Sequence, residues 1–404
     1  MNELNDSESL VYHICNNTFF KLWTFPQPQG KANNKELCDI LVLFDEDILI
    51  FSVKDCEFKD SYRHNVENNI KRWQRKSIDN SCKQIYGAER WLNESDYIIL
   101  SDGSRGPNLP PKSTRRIHRV AIAFGGKNKV PMYYGDFGRG FIHVFNEVSF
   151  LTILNELDTI TDFTDYLKEK ESFYGRGINT PFLCGEENLL AIYLFKNRKL
   201  PTNAENILID NSSWEDICKK PEYIKKKKED KLSYKWDWLI DYLSGSTELD
   251  KSKFKFTDSD LEKILRMMAK ETRFMRRTLS KSLKEFLNLA KQFKIRSRFT
   301  ESHSGIGYVF MYCKHNEDRE SRLKELQMRC FIAMGELSVC KNIVGINFVE
   351  YSKKTGSYIE TCLLRSNKWS MLVQRVAKKL KDEMGFFQSP IVHEQQEDEY
   401  PNIK

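Results

Sequence analysis

Asp39, Ser52 and Lys54 interrupt two otherwise apolar runs, Leu37 to Phe44 and Asp47 to Lys54, in a chain of 404 residues. A carboxylate, a hydroxyl and an ammonium gathered at one point can bind a hard cation through oxygen, orient a water and offset negative charge developing on phosphorus. Both runs are rich in Ile, Leu, Val and Phe on both faces, as central strands are when helices cover the sheet above and below. With Asp45 and Glu46 as a two-residue turn, Phe44 stands opposite Asp47 and Asp39 opposite Ser52. Lys54 then follows on the same face, because side chains alternate with period two. The turn is the open point of this register: Asp-Glu lacks the Gly or Asn that a tight primed turn prefers, and a three-residue loop shifts every pair by one.

Asp39, twelve intervening residues, then Ser52-Val53-Lys54 resembles the motif of the PD-(D/E)xK nuclease superfamily. The departure is Ser52, where the family usually carries Asp or Glu. Some restriction-endonuclease members share it and take the missing carboxylate from the following helix. Here twelve residues separate Lys54 from Glu67, a spacing similar to that variant. The resemblance implies a magnesium (or manganese) ion held by Asp39 and Glu67, with Ser52 orienting a ligand or water and Lys54 stabilising charge. It also implies DNA phosphodiester hydrolysis in bacterial restriction or anti-phage defence. Without the resemblance, the same residues read as an ordinary hairpin with a capping Asp39 and a solvent-reaching Lys54.

The flanking elements must position these groups. Apolar residues at helical spacing from Glu8 to Trp23 predict a helix, with Ser7 as cap and Glu8 in a capping or solvent role, and as a secondary candidate for the extra acid that the resemblance allows there. Glu36, three residues before Asp39, is an alternative acid at the strand mouth, able to bind metal or fix Lys54. A helix from His64 to Arg75 turns Val66, Ile70 and Trp73 to the sheet and sets Glu67 at the edge of that stripe. Lys71, Arg72 and Arg75 make the helix basic and are assigned to phosphate contacts. Gln84 on the next helical piece, Cys82 to Leu92, resembles a Gln that some nuclease families place beside DNA. Gly87 in that helix implies close packing.

The net charge of +7 is modest and unevenly spread. Glu262 to Arg298 holds twelve Lys or Arg against three Glu, and Ser101 to Lys129 holds seven against one Asp. Such patches suit a polyanion. On the basic amphipathic stretch opening at Ser259 and Glu262, Arg273 and Arg277 are assigned to nucleic acid. No apolar run is long enough for a membrane span, the acidic start is unlike a signal peptide, and ten scattered cysteines without a C-x-x-C pair point to a reducing cytoplasm.

The expected fold class is α/β: a restriction-endonuclease-like mixed sheet flanked by helices over residues 1–148, a mostly helical region over 149–299, and a small α/β or α+β domain over 300–390, with a frayed acidic tail over 391–404. Residues 101–116 read as a long structureless loop. The expected activity is that of a metal-dependent DNA nuclease. RNA cleavage leaves no distinguishing mark in these residues, and the expected protein partners are a second copy or a defence-system protein. The rival class is a binding or regulatory protein whose nuclease-like fold has lost its metal.

Overall fold

The computed structural model describes residues 4–30, 35–59, 66–126, 130, 134–176, 185–202, 212–249, 258–314, 316–337, 340–350, 357–366, 371–388 and 398–400. The chain divides into two compact units, Met1–Lys220 and Pro221–Lys404. The boundaries expected at 148 and 299 therefore both fall inside units.

The first unit opens with helix α1 (Asp6–Phe19), capped by Asn5 rather than Ser7. The Asn5 side chain accepts from the Glu8 amide at 2.9 Å and Glu8 reaches back to the Asn5 amide at 3.3 Å, a reciprocal capping box. Strand β1 (Thr24–Pro26) leads to the hairpin β2 (Ile40–Phe44) and β3 (Asp47–Asp55). The hairpin pairs Phe44 with Asp47 and Ile40 with Phe51, the two-residue-turn register. Asp45 closes the turn at a φ of 50°, a left-handed conformation that Asp tolerates better than most residues. The Arg116 side chain and amide brace the other turn residue, Glu46.

Helix α2 (Val66–Gln74) passes through a π turn at Arg75–Asp79 into α3 (Asn80–Glu94). Positions 64 and 65 of the expected helix lie outside the described residues. A Cβ at Gly87 would meet nothing within 4 Å, so close packing does not explain that glycine. The expected loop 101–116 contains β5 (Arg105–Asn108), which pairs with β4 (Tyr97–Ile99). Then follow β6 (Arg116–Phe124), β7 (Gly135–Asp136) and β8 (Phe141–Asn146), giving a mixed six-stranded sheet in the order β1-β2-β3-β6-β8-β7, with β3, β6 and β8 parallel.

Period-two alternation gives this sheet two buried faces. Leu41, Leu43, Ile48, Ile50, Ala121 and Val144 pack with Ile85 and Leu92 of α3. On the other face Phe51 meets Phe19 of α1, Phe150 of α4 (Glu147–Glu156) and Phe163 of α5 (Ile160–Gly175). The helices after residue 148 are thus the second cover of the sheet, which is why the unit does not end there. His143 on this face is fully buried, with Nε2 at 3.0 Å from Glu171 of α5. Burial pushes its imidazole down to about 4, with the nearby Lys170 adding to the effect and Glu171 opposing it. Helices α6 (Glu186–Phe195) and α7 (Ser213–Lys219) complete the unit.

The second unit contains α8 (Pro221–Asp230), α9 (Tyr234–Leu249), α10 (Asp258–Ala269) and α11 (Arg273–Lys291), then β9 (Ser297–Glu301), β10 (Ile306–Lys314), α12 (Arg319–Ile332), β11 (Asn342–Glu350), β12 (Ser357–Arg365) and α13 (Met371–Met384). Its sheet runs β12-β11-β10-β9, with β10 and β11 parallel across the α12 connection. Val309, Met311 and Ile343 pack with Leu326 and Cys330 of α12. Trp236 of α9 stands edge-on to Tyr308 and Phe310 of β10. The basic stretch expected as one helix is two, because Thr272 caps α11 by accepting from the Met275 amide. The Ser259 side chain of the expected capping box lies outside the described residues.

Candidate active site

The open end of the antiparallel β2-β3 hairpin, away from its turn, collects polar side chains from four elements. Asp39 immediately precedes β2 and is buried, its Oδ2 accepting the Val53 amide and the Lys54 ammonium, the latter at 3.4 Å. Ser52, fully buried, donates from Oγ to Oε1 of Gln84 at 2.7 Å. Gln84 turns its amide nitrogen to Oδ1 of Asp39 at 3.2 Å and to Oε1 of Glu36 at 3.5 Å. Because Ser52 donates, the Gln84 oxygen faces the strand and its NH2 faces the two carboxylates. The helix therefore sets the orientation of both acids.

The cluster is short of positive charge. The Glu36 carboxyl is pushed up to about 8, first by burial, then by its hydrogen bond to Asp39 and the fields of Asp39 and Glu8, with Lys54 pulling the other way. Burial and the Asp39 charge also raise Glu8. Glu8 thus faces this site while it caps its own helix, and Gln27 Nε2 stands 3.5 Å from it. Gln27 has a φ of 44° between two prolines and donates its amide to the Asp39 carbonyl at 2.9 Å. A non-glycine residue in that conformation costs on the order of 1–3 kcal/mol, a strain that clusters at functional sites. No sequence pattern marked it.

The other expected site residues are placed differently. Glu67 stands on the outside of α2 with its side chain 67% exposed, paired with Lys71 at 2.6 Å. The carboxylates that crowd Asp39 are Glu36 and Glu8, which corrects the assignment of the second acid to Glu67. The packing of the helix is the reason: Trp73 is buried near its end, while its first turn, with Val66 58% exposed, turns Glu67 to solvent. Arg72 and Arg75 are exposed on the same helix and π turn. Gln84 is turned inward, into the acid cluster, rather than out toward a ligand.

The guanidinium groups of Arg273 and Arg277 are not exposed for the phosphate contacts assigned to them. Both are buried: Arg273 bonds Asp237 at 2.7 Å and Ser233 at 3.1 Å, and Arg277 bonds Asp230 at 3.0 Å and the Asp398 carbonyl at 2.8 Å. Buried guanidinium groups need carboxylate partners, and these have them. The last contact also ties down part of the tail expected to fray.

Among the described residues no group of three or more His, Cys, Asp or Glu side chains is arranged to enclose a metal ion. A magnesium ion requires only one or two protein carboxylates, the rest of its shell being water and substrate oxygens. The oxygen-only pair of buried Asp39 and half-buried Glu36, whose mutual field favours a proton on Glu36, fits a cation that takes that proton's place. No protein-family model matches this chain, and no curated protein or solved structure proved similar to it.

Proposed function

We propose that the first unit is a metal-dependent nuclease hydrolysing phosphodiester bonds, with DNA as the substrate and a cytoplasmic role in restriction or anti-phage defence. The observation that carries this reading is the convergence of Asp39, Glu36 and Lys54 on one another, oriented by a Ser52-Gln84 pair. Asp39 and Glu36 are the residues that would hold magnesium or manganese. When bound, such an ion supplies an acidified water and charge neutralisation at phosphorus. Lys54, partly exposed beside Asp39, is placed to neutralise a phosphate oxygen as charge develops there. Ser52 fixes the Gln84 amide, and Gln84 holds the two carboxylates at a common edge. Glu8 and Gln27 close the side of the cluster toward α1.

The test is incubation of the purified chain with linear, circular and single-stranded DNA and with RNA, with and without magnesium, alongside Asp39→Asn and Lys54→Ala. Magnesium-dependent cleavage lost in both variants supports the reading. Undiminished cleavage in both, or none by the parent on any substrate, removes it. The second reading, a nuclease-like binding protein without a metal, is favoured by Ser52, which spends its hydroxyl on Gln84 and leaves the family's usual carboxylate position without an acid. Calorimetry with manganese separates the two: heat that disappears in Asp39→Asn favours the enzyme, and a silent titration favours the binder.

A further inference from the structure

We infer that α9 carries a contact surface for single-stranded nucleic acid, built from stacked aromatic rings and flanking lysines. Charge first points to the second unit. Lys and Arg outnumber Asp and Glu by ten over residues 221–404, whereas acids exceed bases by three over residues 1–220. A polyanion approaching the acid-rich first unit gains little from long-range attraction, so its capture falls to the second. The arginines at the start of α11 do not supply that attraction at short range, because Arg273, Arg276 and Arg277 are buried in ion pairs with Asp237 and Asp230.

The charge on display lies one helix away. Tyr234, Trp238 and Tyr242 recur every four residues along α9 and so share one side of the helix. Trp238 is 60% exposed and Tyr234 48%, unusual for side chains of this size in a unit with a well-filled core. The rings are pre-arranged. Trp238 stacks on Tyr242 with centroids 5.2 Å apart and planes within 25°, and the Arg273 guanidinium lies 4.4 Å from the Tyr234 ring centre. Lys228, Lys231 and Lys235 are exposed. Lys235 is three residues before Trp238 and therefore beside it. Asp241 is an exposed acid on the same helix, while Asp237 is engaged by Arg273 and Arg276.

Exposed rings with cations beside them match the way proteins bind single strands: bases stack on the free aromatic faces and lysines follow the phosphates. A duplex hides its base faces and gains only the lysine contacts. A protein partner would use the apolar ring area but has no need of the lysines, so salt dependence separates the two.

The inference concerns binding and is tested in chelator, where a chain with or without nuclease activity behaves alike. Fluorescence anisotropy with labelled oligothymidylate, oligouridylate and a DNA duplex would be compared for the full chain, Trp238→Ala, Trp238→Phe and Lys231→Glu with Lys235→Glu, each checked by circular dichroism. Trp238→Ala is expected to weaken single-strand binding at least about fivefold with duplex affinity little changed, and Trp238→Phe to fall between. The lysine variant should make the slope of log affinity against log salt shallower by about one. The tighter of the two oligonucleotides tells DNA from RNA. Single-strand binding unaltered in both Trp238 variants, an equal loss on duplex, or no single-strand binding by the parent would overturn the assignment.

Discussion

Two clusters of charge, one in each unit, are built on opposite principles. In the second unit Arg273, Arg276 and Arg277 meet Asp237 and Asp230, and Lys226 shares Asp230 at 2.8 Å. Backbone carbonyls take further guanidinium donors: Ala269 at 2.5 Å and Glu271 at 2.9 Å from Arg276. Cations and anions there interlock. At the hairpin of the first unit, Glu8, Glu36 and Asp39 face Lys54 alone among the charges that set the Glu36 proton affinity, and that affinity rises. A cluster that closes on itself holds a fold together. A cluster left with surplus charge of one sign is destabilising unless something else supplies the opposite sign, which in the proposed active site would be a bound cation.

The largest break of this contrast is expected in the closed cluster. Arg276→Ala or Arg277→Ala leaves a buried aspartate short of its cation and should lower the stability of the second unit by about 3–5 kcal/mol, read as a shifted midpoint in urea. A change below about 1 kcal/mol would mean that the guanidinium groups are not structural. The open cluster should respond in function instead. Asp39→Asn and Lys54→Ala are each expected to cut cleavage at least about a hundredfold. Glu36→Gln should do the same while holding or raising the melting temperature, because the fold already favours the uncharged form of this side chain. A Glu36→Gln protein that melts lower and cleaves normally would invert the assignment.

Acid pH sharpens the comparison in a third way. Burial, with Lys170 nearby and against the hydrogen bond to Glu171, lowers the proton affinity of His143 from 6.5 to about 4. The fold therefore holds the neutral ring, and the stability this contributes is present above the unfolded value of 6.5 and lost as pH drops from there toward 4. The loss amounts to up to about 3 kcal/mol, and His143→Gln should flatten the dependence of stability on pH in that window. The smallest effect is expected at Glu67. Glu67→Ala removes an exposed pair with Lys71 and should change stability by less than about 0.5 kcal/mol and leave cleavage intact. Loss of cleavage there would return the second acid to α2.

Legibility followed the same divide. The apolar runs and their period fixed the hairpin, and the arithmetic of a two-residue turn set Asp39 against Ser52, because alternation and register are local properties of the chain. Glu36 was visible beside Asp39 as an acid at the strand mouth. What misled was distance in sequence. The helical spacing from Lys54 to Glu67 says how far along α2 the acid lies, but the burial of Trp73 decides which way that helix is rolled. Arg273 and Arg277 read as a basic track because their partners lie about forty residues earlier in the chain, on or near α8 and α9.

The sequence by itself determined the hairpin, its alternating faces and the chemistry within it, since these depend on neighbours within a few residues. Only the tertiary structure decided that Gln84 clasps Asp39 and Glu36, that Gln27 is held left-handed under the Asp39 carbonyl, and that α11 buries Arg273, Arg276 and Arg277 while α9 displays Trp238. Whether a charge is matched depends on everything packed around it, and packing brings together residues that the linear order keeps apart.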